Sequence, residues 1–123
     1  MRVVLANAFS INMLSNDWVA VEFKKVDIET VRRVLENGFE SAIGHEATAR
    51  CLSQMLGLEV KMNRKEVKVD ENTVLVVAQV KQRLPEGRVL SEEELRNVQV
   101  EFWTALFMRL KEEYLDILDK YLQ

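Results

Sequence analysis

The chain has only one cysteine, one histidine and one proline among its 123 residues. A single cysteine excludes an intramolecular disulfide. One histidine and one cysteine supply too few of the ligands that zinc usually takes. No apolar run approaches the roughly 18–20 residues that cross a membrane. The N-terminal MRVVLANAF turns polar too soon for a secretory signal. Repeats, linkers, low-complexity tracts, a Gly-rich phosphate loop, a paired-carboxylate metal site and a nucleophilic triad are also missing. So is an excess of positive charge. The net charge is −3, whereas proteins that grip long duplex nucleic acid through many phosphates are usually basic. The expectation is a soluble cytoplasmic protein with no membrane contact, no stable long nucleic-acid partner, no metal and no cofactor.

What is present suits one globular domain over residues 1–123, since 48% of the residues are apolar and 30% charged. Val3, Val4 and Leu5 form a short apolar strand over residues 2–5. Residues 17–26 alternate, with Val19, Val21 and Phe23 on one face and Ala20, Glu22 and Lys24 on the other, as in a half-buried strand. Asp27 is placed to cap a helix over 28–37 with an Ile28, Val31, Leu35 stripe, and Gly38 stops it. A second helix follows His45 and runs to Leu56, closed by Gly57. Cys51 lies in its apolar pattern and reads as a buried small hydrophobe. Residues 59–62 and 66–69 are strand-like pieces around Asn63-Arg64-Lys65, which suggests a hairpin or a bend.

The run Thr73–Val80 is the strongest strand, apolar enough to be covered on both faces. From its end onward, Gln79, Lys81 and Arg83 alternate with Val80 and Gln82, which would put those polar groups on one side. Leu84-Pro85-Glu86-Gly87 has turn chemistry. Ser91 and Glu94 are spaced as a capping box for a short helix over 92–97. A strand is expected over 98–105. A helix over 108–122 follows, from the spacing of Leu106, Phe107, Leu110, Tyr114, Ile117, Leu118 and Tyr121; one long helix from Glu92 is the alternative.

The chemistry-bearing residues are few. His45 stands after Gly44 where the pattern predicts a helix start, a place where free N–H groups favour anions and an imidazole can move a proton. Taken alone, a single histidine is more often structural. Asn7, Ser10 and Asn12 follow a strand end, a place where open α/β sheets bind ligands, but the same residues also form turns and caps. Together with Arg64, Gln79, Gln82, Arg83 and Glu86 they could hold phosphodiesters and supply one proton.

Four blocks in this order carry a resemblance: Leu5-Ala6-Asn7-Ala8-Phe9-Ser10-Ile11-Asn12-Met13-Leu14, Ser41-Ala42-Ile43-Gly44-His45, Asn63-Arg64-Lys65-Glu66-Val67, and Gln79-Val80-Lys81-Gln82-Arg83-Leu84-Pro85-Glu86-Gly87. The chain resembles the type III anti-CRISPR ring nucleases, viral and cellular proteins that degrade cyclic tetra-adenylate, over nearly its whole length to about Phe107. The resemblance implies an α/β fold with a mixed β-sheet and packed helices, to which this chain adds an amphipathic C-terminal helix. It also implies a homodimer with the ligand across its interface and a metal-independent phosphodiesterase. On the same ground His45 is the catalytic histidine and Glu86 its acidic partner. Asn7, Ser10, Gln79 and Arg83 are ligand-binding residues, with Arg64 a looser match as a phosphate contact. Attack by a ribose 2′-hydroxyl would release linear diadenylates and switch off type III CRISPR signalling. A non-catalytic dimeric nucleotide- or DNA-binding viral regulator is the alternative, and an interaction module using the terminal helix is a third.

Overall fold

The computed structural model describes residues 1–109 and 112–123. Its elements are β1 (Arg2–Ala6), a 3-10 turn (Ile11–Met13), β2 (Val19–Val26), α1 (Ile28–Leu35), β3 (Glu40–Ala42), α2 (Glu46–Leu56), β4 (Thr73–Val80), α3 (Glu92–Arg96), β5 (Val100–Arg109) and α4 (Glu112–Leu122). They form one α/β domain on a mixed five-stranded sheet of order β2-β5-β4-β1-β3. β4, β1 and β3 are parallel, and β5 and β2 join antiparallel. The apolar run of β4 is central, as its sequence requires.

Strand alternation splits the core in two. Leu5, Val76, Ala78 and Phe102 face α1 and α2, where they meet Val31, Leu35, Ile43, Leu52 and Leu56. Val4, Ala6, Leu75, Val77, Ala105 and Phe107 face the other way, onto Met13, Val67 and Val69. The helices are capped as their sequences suggest. Asp27 accepts from the Thr30 N–H at 2.9 Å, and Gly57 closes α2 at φ 68°, in the left-handed region that glycine enters without steric cost. Arg32 of α1 donates to the Met55 and Leu56 carbonyls at 2.7 and 3.3 Å, so it answers the free C-terminal end of α2. Cys51 is buried, and that burial pushes its thiol pKa up.

Two expectations change, and one strand was not anticipated. Residues 59–69 make no hairpin. The segment is a strap whose two pieces each find a partner elsewhere: Met62 bridges Ile43 and Val69 bridges Leu14, both in parallel. The last strand does not give way to helix near Phe107. β5 continues to Arg109 because β2 pairs with it past the last β4 pair at Leu106, with Val21 opposite Phe107 and Val19 opposite Arg109, and that pairing outweighs the helix-like spacing. Phe107 is 3% exposed and Leu106 41%, the alternation of a strand. A long helix from Glu92 is excluded for the same reason. α4 then begins at Glu112, with Tyr114, Ile117, Leu118 and Tyr121 exposed; Leu110 lies outside the described residues. Finally, β3 is a strand of three residues at the sheet edge, too short to show a period in sequence.

No helix is long and apolar enough to cross a membrane among the described residues.

Candidate functional site

The parallel strands β1, β3 and β4 end on the same side of the sheet, and ligands of open α/β sheets bind outside such ends. Three chain segments emerge there: Asn7 after β1, Ile43-Gly44-His45 after β3, and Lys81-Gln82-Arg83 after β4. They are tied together. Asn7 Oδ1 accepts a hydrogen bond from the Gly44 N–H at 2.9 Å, and Arg64 Nε donates to the Gly44 carbonyl at 3.2 Å. The Gly44 backbone is thus held from both sides, one residue before His45.

His45 is the N-cap of α2, with extended backbone at φ −132° and ψ 133°. Its side chain makes no capping hydrogen bond, so the first amides of α2 receive no side-chain acceptor from the cap. The imidazole is exposed instead, on a cavity of about 350 Å³ lined by Asn7, His45, Thr48, Gln82, Arg83 and Glu86 with Ala47, Val80 and Leu84. Four of the expected site residues, His45, Glu86, Arg83 and Asn7, therefore meet in one place. His45 and Glu86 share the cavity without a hydrogen bond or ion pair between them. Arg83 likewise has no carboxylate partner among the described residues, which leaves a guanidinium able to take an oxyanion.

The loop that carries Arg83 and Glu86 is pinned at both ends. Gln82 Oε1 accepts from the Gln99 N–H at 2.9 Å, next to the last ladder bond, from Lys81 N to Gln99 O at 2.8 Å. At the far end Gln54 of α2 treats Leu90 as a strand would, donating to its carbonyl at 2.8 Å and accepting from its N–H at 3.1 Å. Between the pins, Gly87 takes φ 74°, which a side chain there would resist. The role of Gln82 is thus at least partly that of a backbone clamp. Gln54 was not singled out in the sequence, because nothing local marks a glutamine whose partner lies 36 residues away. Thr48 was also missed, although it stands three residues after His45, one helical turn along the same face.

The remaining expected residues sit elsewhere. Gln79 and Lys81 do not share a side with Arg83. They line a separate cavity of about 620 Å³ on the opposite face of the sheet, with Asn7, Phe9, Phe23, Glu101 and Trp103. The pleat of β4 ends at Val80, and past it the chain bends, so Gln82 and Arg83 both reach the His45 cavity instead of alternating. Ser10 caps the 3-10 turn, its hydroxyl accepting from Asn12 N–H at 3.3 Å, and it lines neither cavity. Arg64 is exposed and reaches the site only through Gly44. Asn12 is exposed, and its carbonyl accepts from Lys68 Nζ at 2.6 Å.

Among the described residues, no group of three or more His, Cys, Asp or Glu side chains is arranged to hold a metal ion. What the cavity offers is an imidazole, a free guanidinium, a carboxylate, amide and hydroxyl groups and a helix N-terminus, which is equipment for an anion and a proton.

Comparison with known proteins agrees with this fold. The chain is similar to B116 of Sulfolobus turreted icosahedral virus, with a TM-score of 0.76 and 31% identity, covering 86% of this chain and 99% of that one. It is 38% identical over 85 residues to uncharacterized protein 26 of Sulfolobus islandicus filamentous virus, 68% of this chain and 72% of that protein. It is 25% identical over 83 residues to the uncharacterized protein YddF of Bacillus subtilis, 65% of this chain and 77% of that one. The model of the STIV B116-like family matches residues 3–102, a span that holds every lining residue of the His45 cavity and stops short of α4. The chain belongs to the STIV B116-like family.

Proposed function

We propose that this protein is a metal-independent ring nuclease that opens cyclic tetra-adenylate to linear diadenylates, and so switches off type III CRISPR signalling. The observation that carries the reading is the meeting of His45, Arg83, Glu86 and Asn7 in one cavity at the N-terminus of α2. The four-block resemblance to ring nucleases supports the choice of substrate.

The chemistry asks little beyond geometry and charge. A ribose 2′-oxygen attacks the adjacent phosphorus and loses its proton to solvent. The bond from phosphorus to the 5′-oxygen breaks, and a 2′,3′-cyclic phosphate remains. His45 donates the proton that the leaving 5′-oxygen needs. Arg83 and the first amides of α2 take up charge on the phosphoryl oxygens. Glu86 lines the same cavity and is the acidic partner that the resemblance assigns to His45. Asn7 fixes the Gly44 backbone and hence the position of His45. No external nucleophile is required, and no step calls for a metal.

A cyclic tetranucleotide is compatible with two-fold symmetry, so a homodimer would present one His45 to each of two opposed phosphodiesters. Two cuts give two diadenylates. The test is incubation of the ring with the protein in EDTA, followed by separation of the products. An intact ring that stays bound would favour the alternative, a dimeric nucleotide-binding regulator that sequesters its ligand.

A further inference from the structure

None of the steps above uses α4, and the family match ends at residue 102, so nothing shared across the family accounts for this helix. It buries none of its residues. Tyr114, Ile117, Leu118, Tyr121 and Leu122 are between 48% and 84% exposed. At about 3.6 residues per turn these five share one side of the helix with Leu115, while its charged residues share the other. A helix of 11 residues is marginal alone in water and is stable chiefly through what its apolar side packs on. The chain enters α4 at the end of the sheet away from His45. Arg109 closes β5 at 3.4 Å from Glu71, just ahead of β4, whereas the His45 cavity lies past the far end of β4 and no α4 residue lines it.

We infer that α4 docks on the α4 of a second copy of this chain, with the two helices antiparallel. Tyr114, Ile117 and Tyr121 are spaced three and four apart, as at the a and d positions of a helix-pair seam, and Leu118 lies beside them at e. Glu113 and Lys120 then stand seven apart at g, on one edge of the seam. Neither makes an ion pair among the described residues. In a parallel pair g meets e of the other helix, so Glu113 would face Leu118. In an antiparallel pair g meets g. Glu113 of one copy then meets Lys120 of the other, and two-fold symmetry repeats the contact. Charge thus sets the direction and places the two-fold between Asp116 and Ile117. Glu112, Asp116 and Asp119 stay on the solvent side. The seam is short, so the association is weak and grows with concentration. It leaves the His45 end of each sheet uncovered, and cleavage does not depend on it.

Cysteine cross-linking in the full chain tests both the contact and its direction. Cys51 is buried, so a thiol introduced on α4 is the one that reacts. Ile117→Cys meets its own copy across the two-fold and should form a disulfide dimer about tenfold or more faster than Asp119→Cys on the outer face. Tyr114→Cys and Tyr121→Cys lie about 8 and 14 Å along the helix from their symmetry mates, too far for a disulfide, and should match Asp119→Cys. Glu113→Lys should slow the Ile117→Cys cross-link, and adding Lys120→Glu should restore it. In sedimentation the average mass of the wild type should rise with concentration above that of Ile117→Asp, while the two cleave cyclic tetra-adenylate equally. Equal cross-linking at all four sites would overturn the pairing. So would equal mass for wild type and Ile117→Asp, which would leave α4 to its own sheet, where Leu106 and Met108 are exposed. Fast cross-links at 114, 117 and 121 together, or no recovery in the double charge swap, would overturn the antiparallel assignment. Cleavage lost only in Ile117→Asp would overturn the separation of the pair from the site. The cross-links and masses are read without the ring, so absence of cleavage in every sample would count against the nuclease alone.

Discussion

Asn7 and Gly44, 37 residues apart, are joined by a hydrogen bond of 2.9 Å from the Gly44 N–H to Asn7 Oδ1. The bond ties the end of β1 to the residue before His45. Asn7→Ala removes the acceptor and leaves that N–H without its partner. We expect a stability loss of about 1–2 kcal/mol by chemical denaturation, and a fall in cleavage of about 10²-fold from a displaced imidazole. Asn7→Asp keeps an acceptor for Gly44 but loses the NH2. It should retain most of the stability while still binding ligand poorly. Equal stability loss in both variants would show that the Gly44 bond is not what Asn7 contributes.

Gly44 has no conformational need to be glycine, since its φ is not positive. A Cβ there would lie 3.8 Å from both Arg64 Nε and Asn7 Oδ1, ordinary contact distance. Gly44→Ala should therefore change the thermal midpoint by no more than a degree or two, equivalent to roughly 0.5 kcal/mol or less, and should keep activity. A large loss of stability would mean that the close approach of Asn7 and Arg64 tolerates no added methyl.

The loop bearing Arg83 and Glu86 depends on Gln54, whose amide makes two bonds to the Leu90 backbone. Gln54→Ala strips both partners from a buried residue. A cost of about 1–3 kcal/mol is expected. KM for the ring should rise and amide exchange over residues 82–90 should quicken, because one end of the loop is freed. Unchanged exchange across the loop would show that it is held by other contacts.

The Ser91 cap of α3 has a predictable acid limit. Paired hydrogen bonds from Arg88, then the Ser91 N–H, hold the Glu94 carboxyl at about 2, below its usual value of 4.5. A carboxyl whose pKa is lower in the folded state adds stability above its unfolded pKa and loses it as pH falls through the folded one. The thermal midpoint advantage of the wild type over Glu94→Gln should thus be constant at neutral pH and shrink between about pH 4.5 and 2. An advantage that survives at pH 2 would place its origin outside this ionisation.

How much of this was readable in the sequence follows from how local each signal was. The β4 run, the Asp27 and Ser91 caps and the Gly57 stop rest on residues within a few positions of one another, and each appears where expected. β3 and the length of β5 depend on neighbouring strands, which a linear pattern does not show. In the site, the convergence of His45, Arg83 and Glu86 came from the resemblance; spacing alone would have left each a surface residue. The division between Gln79 and Arg83 was hidden because extrapolating the β4 alternation past Val80 assumes a pleat that the chain has left. The Gln54–Leu90 clamp has no sequence signature at all.

The central claim is that His45 donates a proton to a phosphodiester in its cavity. The most direct measurement is single-turnover cleavage of cyclic tetra-adenylate in EDTA by wild type and His45→Ala, with binding of the ring measured in parallel. The account predicts linear diadenylates from the wild type, and a variant that binds the ring but cleaves it about 10²–10⁴-fold more slowly. An intact ring after incubation with folded wild-type protein, or cleavage at the wild-type rate by His45→Ala, would contradict it.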